Sequence, residues 1–480
     1  MPTQSNIPLA LAYDDVLLVP QRSRIKHRAD TNTATYLTSK IKLALPFLSA
    51  NMDTVTESQM AIAMARAGGL GVIHRFMTIK DQVKEVDKVA RFEGFFIDNP
   101  YTTHPDKPVR HIIENIALNG VSSYLVVDQK NKLLGLVSRR DVIFETDHSQ
   151  KVSQVMTPLK SLITVPPGTT KDKAKKLFAK YKIEKLPVIK RDGTLAGLIT
   201  AKSIENYELQ PLATKDELGR LRCGAAVGVV GDYLERAGAL LTAGADVLVV
   251  DVAHGQNAAS LEAIAALRKT YHQAQIIGGN VATPQGVKDL IKAGVDAVKV
   301  GIGPGGICST RMVTGVGVPQ FTAVMQCTAA AKGTKVKVIA DGGTNYAGDI
   351  AKALAAGAST IMLAGWFAGT NESPGEIIVR NNRKFKVHRG SASFSSQVDR
   401  GARTGTLKNG LNTIVPEGVE SLIEYKGGVS DIIYQLLGSL RSAMSYCNAT
   451  TIKELQQNAK FVRITSAGFR ESKTHNVDEI

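Results

Sequence analysis

Ala297-Val298-Lys299-Val300-Gly301-Ile302-Gly303-Pro304-Gly305-Gly306-Ile307-Cys308-Ser309-Thr310 is a run of strand length that breaks into a loop. Four glycines and a proline turn the chain, and the loop delivers a thiol with two hydroxyls beside it. Glycine permits close backbone approach and positive φ, so such a loop can wrap a ligand or an ion. A thiol carried on a strand end is a candidate nucleophile.

Seven other short apolar runs stop in the same way, at Gly, Asp, Asn or His. They are Leu45–Ala50, Gly71–His74, Cys223–Gly228, Asp246–Asp251, Gln275–Asn280, Val336–Asp341 and Thr360–Gly365. Between most of them lie Ala-rich segments of helical period, such as 59–67, 258–269, 285–293 and 347–356. Strands alternating with helices argue for a parallel sheet. Eight such units argue for a (β/α)8 TIM barrel, in which reactive residues gather at the C-terminal strand ends. A doubly wound open sheet is the rival, but no GxGxxG follows the first strand.

About 150 residues separate the second and third runs, far more than an ordinary loop. Two similar pieces lie in this gap. One ends Lys132-Leu133-Leu134-Gly135-Leu136-Val137-Ser138-Arg139-Arg140-Asp141-Val142, the other Thr194-Leu195-Ala196-Gly197-Leu198-Ile199-Thr200-Ala201-Lys202-Ser203-Ile204. Each follows a helix-like stretch and a short strand. The expected domains are therefore a barrel formed by 1–95 and 207–480, and an inserted module over 96–206.

The rest of the composition sets limits. The 480 residues are 44% hydrophobic and only 5% aromatic, which fits a globular α/β protein. The formal charge is +16, but the lysines and arginines are scattered, without an arginine-rich tail or an aromatic-interleaved stripe. Specific nucleic-acid binding is not expected; small anionic ligands and solvated surface account for the excess. Cys223, Cys308, Cys327 and Cys447 form no CxxC pair, so a reducing, cytoplasmic compartment is expected. No apolar run reaches membrane-spanning length, and no membrane partner is expected.

With these residues in place the chain resembles the IMP dehydrogenase and GMP reductase family. The matching pieces are Tyr13-Asp14-Asp15-Val16-Leu17-Leu18-Val19-Pro20, Asn51-Met52-Asp53-Thr54-Val55, Asp251 to Gly255, Gly303 to Gln320, Asp341-Gly342-Gly343 and Val415-Pro416-Glu417-Gly418. The gap resembles a tandem pair of cystathionine-β-synthase (CBS) repeats, a Bateman module, which implies binding of regulatory purine nucleotides. There Asp141 matches a ribose contact, Ser203 stands in that place in the second repeat, and Asp141 and Thr200 are the candidate regulatory-nucleotide residues.

The resemblance implies covalent chemistry. Cys308 attacks C2 of the purine, with Thr310 and Glu417 handling protons. Asp341 holds the ribose hydroxyls; Gly343, Gly365, Ser309 and His388 complete the substrate site. Asp251, Asn280 and Gly301 face the nicotinamide cofactor, and the carbonyls of Gly303, Gly305 and Cys308 offer a site for a monovalent cation such as K+. Two departures stand out: Gly306 where the family often has Ser, and His388 where it often has Tyr. Tetramers, and octamers when the module binds nucleotide, are also implied.

The two family reactions differ in what happens to the adduct. A dehydrogenase hydrolyses it, using an Arg-Tyr pair on a mobile flap. The flap here spans 390–417 and contains Arg400-Gly401-Ala402-Arg403-Thr404-Gly405 without tyrosine. The expected activity is therefore GMP reductase: GMP and NADPH give IMP and ammonia. The alternatives are an IMP dehydrogenase that uses NAD, and a non-catalytic purine-nucleotide sensor.

Overall fold

A computed structural model describes residues 7–92, 95–98, 100–404 and 415–474. The chain divides into two compact units, one of residues 1–90, 212–214 and 221–480, the other of residues 91–211 and 215–220.

The first unit is a closed parallel barrel. Its strands are β1 (Phe47–Ser49), β2 (Leu70–Ile73), β3 (Gly224–Val227), β4 (Val247–Asp251), β5 (Gln275–Val281), β6 (Ala297–Val300), β7 (Lys337–Asp341) and β8 (Thr360–Leu363). All eight apolar runs supply one strand each. The barrel closes where Ile361 of β8 pairs with Phe47 of β1, and β2 joins β3 at Val72 and Gly224.

Alternation sorts the strand residues. Leu48, Leu70, Val72, Val247, Val249, Ile277, Ala297, Ile339 and Met362 form one buried cluster inside the barrel, joined by Leu37, Ile41 and Leu43 from the segment before β1. The intervening residues, such as Leu248, Val250, Ile276, Val298 and Val338, pack outward against the helices in the main core. Each such side chain contributes about 1.5–3 kcal/mol when fully buried.

Local signals set the helix ends. In Pro284–Ala293, Thr283 accepts the Gly286 N–H and Pro284 occupies the first turn, where its missing N–H costs nothing. Gly294 ends that helix at φ +107. Asp246 and Asp296 then pin the strand starts, accepting the backbone N–H of Cys223 (3.0 Å) and Ile276 (2.8 Å).

In the second unit each similar piece folds the same way. Strands Ser123–Val127 and Leu133–Ser138 pair antiparallel, as do Lys185–Ile189 and Leu195–Thr200. Both hairpins shift register at the equivalent place, Val126/Val127 in the first and Val188/Ile189 in the second. Helices Val109–Asn119 and Lys171–Tyr181 precede them. Among the described residues, no helix is long and apolar enough to cross a membrane.

Candidate active site

The strand ends of the barrel open into a cavity of about 770 Å³. Cys308, Thr310, Glu417, Asp341, Gly343, Gly365, His388, Asp251, Asn280, Gly301, Gly303 and Gly305 all line it. The fold thus gathers the expected catalytic, substrate and cofactor residues from five strand ends and two distant segments. Ser309 is the exception: it does not line the cavity, and its N–H donates to the Glu417 carbonyl at 2.9 Å.

Cys308 is exposed, whereas Cys223, Cys327 and Cys447 are buried. Its Sγ lies 3.1 Å from Thr310 Oγ1. Burial pushes the Cys223 thiol well up and the Cys327 thiol to about 12, so neither yields a thiolate near neutral pH. The loop is braced by Arg311, whose Nη2 donates to the Val318 carbonyl at 2.6 Å. The Gly305 carbonyl already accepts the Cys308 N–H at 3.0 Å, so a cation there would use its second lone pair.

The flap ends are held against this loop. Val419 N–H donates to Ile307 O (3.0 Å), and Glu417 N–H to Ala392 O (3.0 Å). Arg389 bonds Asp53 through Nε at 2.8 Å and pairs with Asp399 at 3.0 Å on helix Phe394–Thr404. It therefore serves the loop after β1, not a ligand charge. Residues 405–414 of the flap, and the side chains of Arg400 and Arg403, lie outside the described residues.

His388 is 4% exposed, with Nδ1 3.2 Å from Thr54 Oγ1. Burial, with the Lys426 ammonium adding and Asp53 opposing, pushes its imidazole down to about 4. The unfolded chain takes up this proton near pH 6.5. Between the two values the unfolded state binds more protons, so stability is present above about 6.5 and is lost as pH falls toward 4. The loss is on the order of 3 kcal/mol. His388→Gln should flatten the dependence of unfolding free energy on pH between 7 and 4.5, measured by urea denaturation. Equal slopes in variant and parent would contradict this.

Sequence reasoning missed three groups lining the cavity: Arg75, Lys299 and Lys426. Arg75 Nη2 donates to the Asp251 carbonyl at 3.3 Å. Lys426 donates to the Gly365 carbonyl, and burial lowers its pKa. Lys299 sits inside β6; its only signal was a charged residue two positions after an inward Ala297.

In the second unit Asp141 Oδ2 accepts both the N–H and the Oγ–H of Ser138, each at 2.7 Å. In the second repeat Ser203 Oγ accepts the Thr200 N–H at 3.1 Å, while Thr200 Oγ1 accepts the Ser203 N–H at 3.0 Å. Both residues close a capping box. Asp141 retains Oδ1 for any ligand.

The family model for the IMP dehydrogenase / GMP reductase domain matches residues 10–475. An inosine-5'-monophosphate dehydrogenase of Nitrosopumilus maritimus is 49% identical, covering 97% of this chain and 98% of that protein. Another, of Aquifex aeolicus, is 50% identical over 99% and 97%. Among solved structures, a GMP reductase variant from Trypanosoma brucei in complex with guanosine 5'-monophosphate is 40% identical over the whole of both chains, with a TM-score of 0.92.

These relatives correct the reductase expectation, and NADPH as its cofactor falls with it: the full-length relatives at about half identity carry the dehydrogenase name. The physical error was to treat a missing flap tyrosine as a missing base. Thr310 and Glu417 line the same cavity as the thiol, and a carboxylate with a hydroxyl can take a proton without tyrosine. The match along nearly the entire length, together with the closed barrel and its cysteine loop, places this chain in the IMP dehydrogenase / GMP reductase family.

Proposed function

We propose that the protein is an IMP dehydrogenase, converting IMP, NAD+ and water to xanthosine 5'-monophosphate, NADH and a proton. The observation that carries this reading is the 49–50% identity to dehydrogenases over their full length. The site supports it with an accessible thiol beside a hydroxyl.

In this reading the Cys308 thiolate adds to purine C2. Asp341 orients the ribose, and the backbone around Gly343 and Gly365 receives the phosphate. The cofactor fits the other side of the cavity, where Asn280 Oδ1 is buried without a hydrogen-bond partner and can accept a donor such as a carboxamide. Bound there, the nicotinamide supplies an acceptor for the C2 hydride. Glu417 and Thr310 then take the proton from the water that releases Cys308. The carbonyls of Gly303, Gly305 and Cys308 suit K+, a hard cation. We assign to the inserted unit a CBS pair that binds purine nucleotides through Asp141 Oδ1, and to the whole a homotetramer.

The test is a spectrophotometric assay of the full chain in K+ buffer. Reduced cofactor and xanthosine monophosphate should accumulate from IMP and NAD+. No product from this pair, with GMP instead consuming NADPH, would overturn the proposal.

A further inference from the structure

The two-residue period that places Val249, Ala297 and Ile339 inside the barrel carries on upward to Asp251, Lys299 and Asp341. These three form a charged layer at the floor of the cavity, which all of them line. Lys299 is 4% exposed. Its Nζ donates to Asp341 Oδ2 at 2.8 Å and lies 3.9 Å from Asp251 Oδ1. Burial works against the ammonium, but Asp341 and Asp251 outweigh it and hold its pKa above the ordinary lysine value. Arg75 Nε approaches Asp251 at 3.8 Å from β2's end.

Asp341 Oδ2 accepts a second bond, from Asn280 Nδ2 at 2.9 Å. Its backbone carbonyl accepts Gln320 Nε2 at 3.1 Å. Oδ1 accepts from no described residue. The carboxylate is thus held by one oxygen and offers the other. A carboxylate so fixed pays little ordering entropy when a ligand hydroxyl donates to it.

We propose that Lys299 is a positioning residue for nucleotide recognition, clamping Asp341 Oδ2 so that Oδ1 faces the ribose hydroxyls. This rests on the reading above in which Asp341 takes the ribose. Lys299 itself touches no substrate atom. Its removal leaves Asp341 Oδ2 held by Asn280 Nδ2 alone among the described residues, a single bond about which the carboxylate can turn, with Asp251 as an unscreened neighbour. The effect must therefore be confined to ligands that carry the hydroxyls.

The experiment measures binding of IMP and of 2',3'-dideoxy-IMP to the full chain by calorimetry. The parent should prefer IMP by roughly tenfold or more, the range for hydrogen bonds to a charged group. Asp341→Asn should abolish most of this preference. Lys299→Met should reduce it to about threefold or less, with affinity for the dideoxy compound within about threefold of the parent. Lys299→Arg, which keeps the charge, should restore part of it. If Lys299→Met does not fold, Lys299→Gln is read in the same way. A Lys299→Met protein that keeps the parent preference, while Asp341→Asn loses it, overturns the role of Lys299 alone. A parent preference that survives in Asp341→Asn overturns the ribose assignment, and the role of Lys299 with it.

Discussion

Cys308→Ala should lower turnover by roughly three orders of magnitude or more, since without a nucleophile only binding and orientation remain. Cys308 is exposed, and among the described residues its side-chain hydrogen-bond partner is Thr310 Oγ1. Its loss should therefore change stability by no more than about 0.5 kcal/mol. IMP affinity should stay within about threefold, because the covalent bond forms after the nucleotide is held by other groups. Steady-state NADH formation and equilibrium IMP binding, measured on the same preparation, check both halves. Near-normal turnover by the alanine protein would remove the covalent step from the proposal.

Gly301→Ala should have the largest effect on the fold. A methyl at this position would lie 2.1 Å from the Asp341 carbonyl oxygen, backbone against backbone, at φ +150. The Gly301 N–H is spent on Val281 O and its carbonyl on Asn280 Nδ2. β6 and β7 must separate to admit the methyl, which moves Asp341 as well. We expect a loss of about 3 kcal/mol or more in urea denaturation, together with loss of IMP binding. Gly306→Ala is the internal control. It meets nothing within 4 Å, so it should unfold at the parent midpoint. Equal midpoints for both alanine variants would mean that the close approach does not constrain the barrel.

Much of this architecture was legible in the chain. Apolar runs that stop at Asp251, Asn280 or Asp341 marked the strands because a buried parallel strand reads as a continuous apolar stretch. They marked the site for a related reason: a polar residue tolerated at such a strand end is one the cavity uses. Lys299 was hidden because it interrupts an apolar run without ending it. Only closure of the barrel, which brings Asp251 and Asp341 to its ammonium, explains its place. The bond from Arg389 to Asp53 could not be read from the chain, because the two are remote in sequence. Asp141 looked like a ribose contact alone, though local capping already engages one of its oxygens. The flap misled for a chemical reason. Composition can show that a tyrosine is missing, but not which other group within reach takes the proton.

Glu417 pairs with Ala392, and Val419 with both Ile307 and Gly390. The excursion between residues 392 and 417 therefore departs and returns through a single doorway beside the sulfur. These doorway bonds run between backbone atoms, so side chains of the excursion can change around them, whereas Asp399 and Ser395 also tie it to Arg389 and Glu420. Descent could then preserve the barrel and its cysteine loop while exchanging side chains of the segment that borders them.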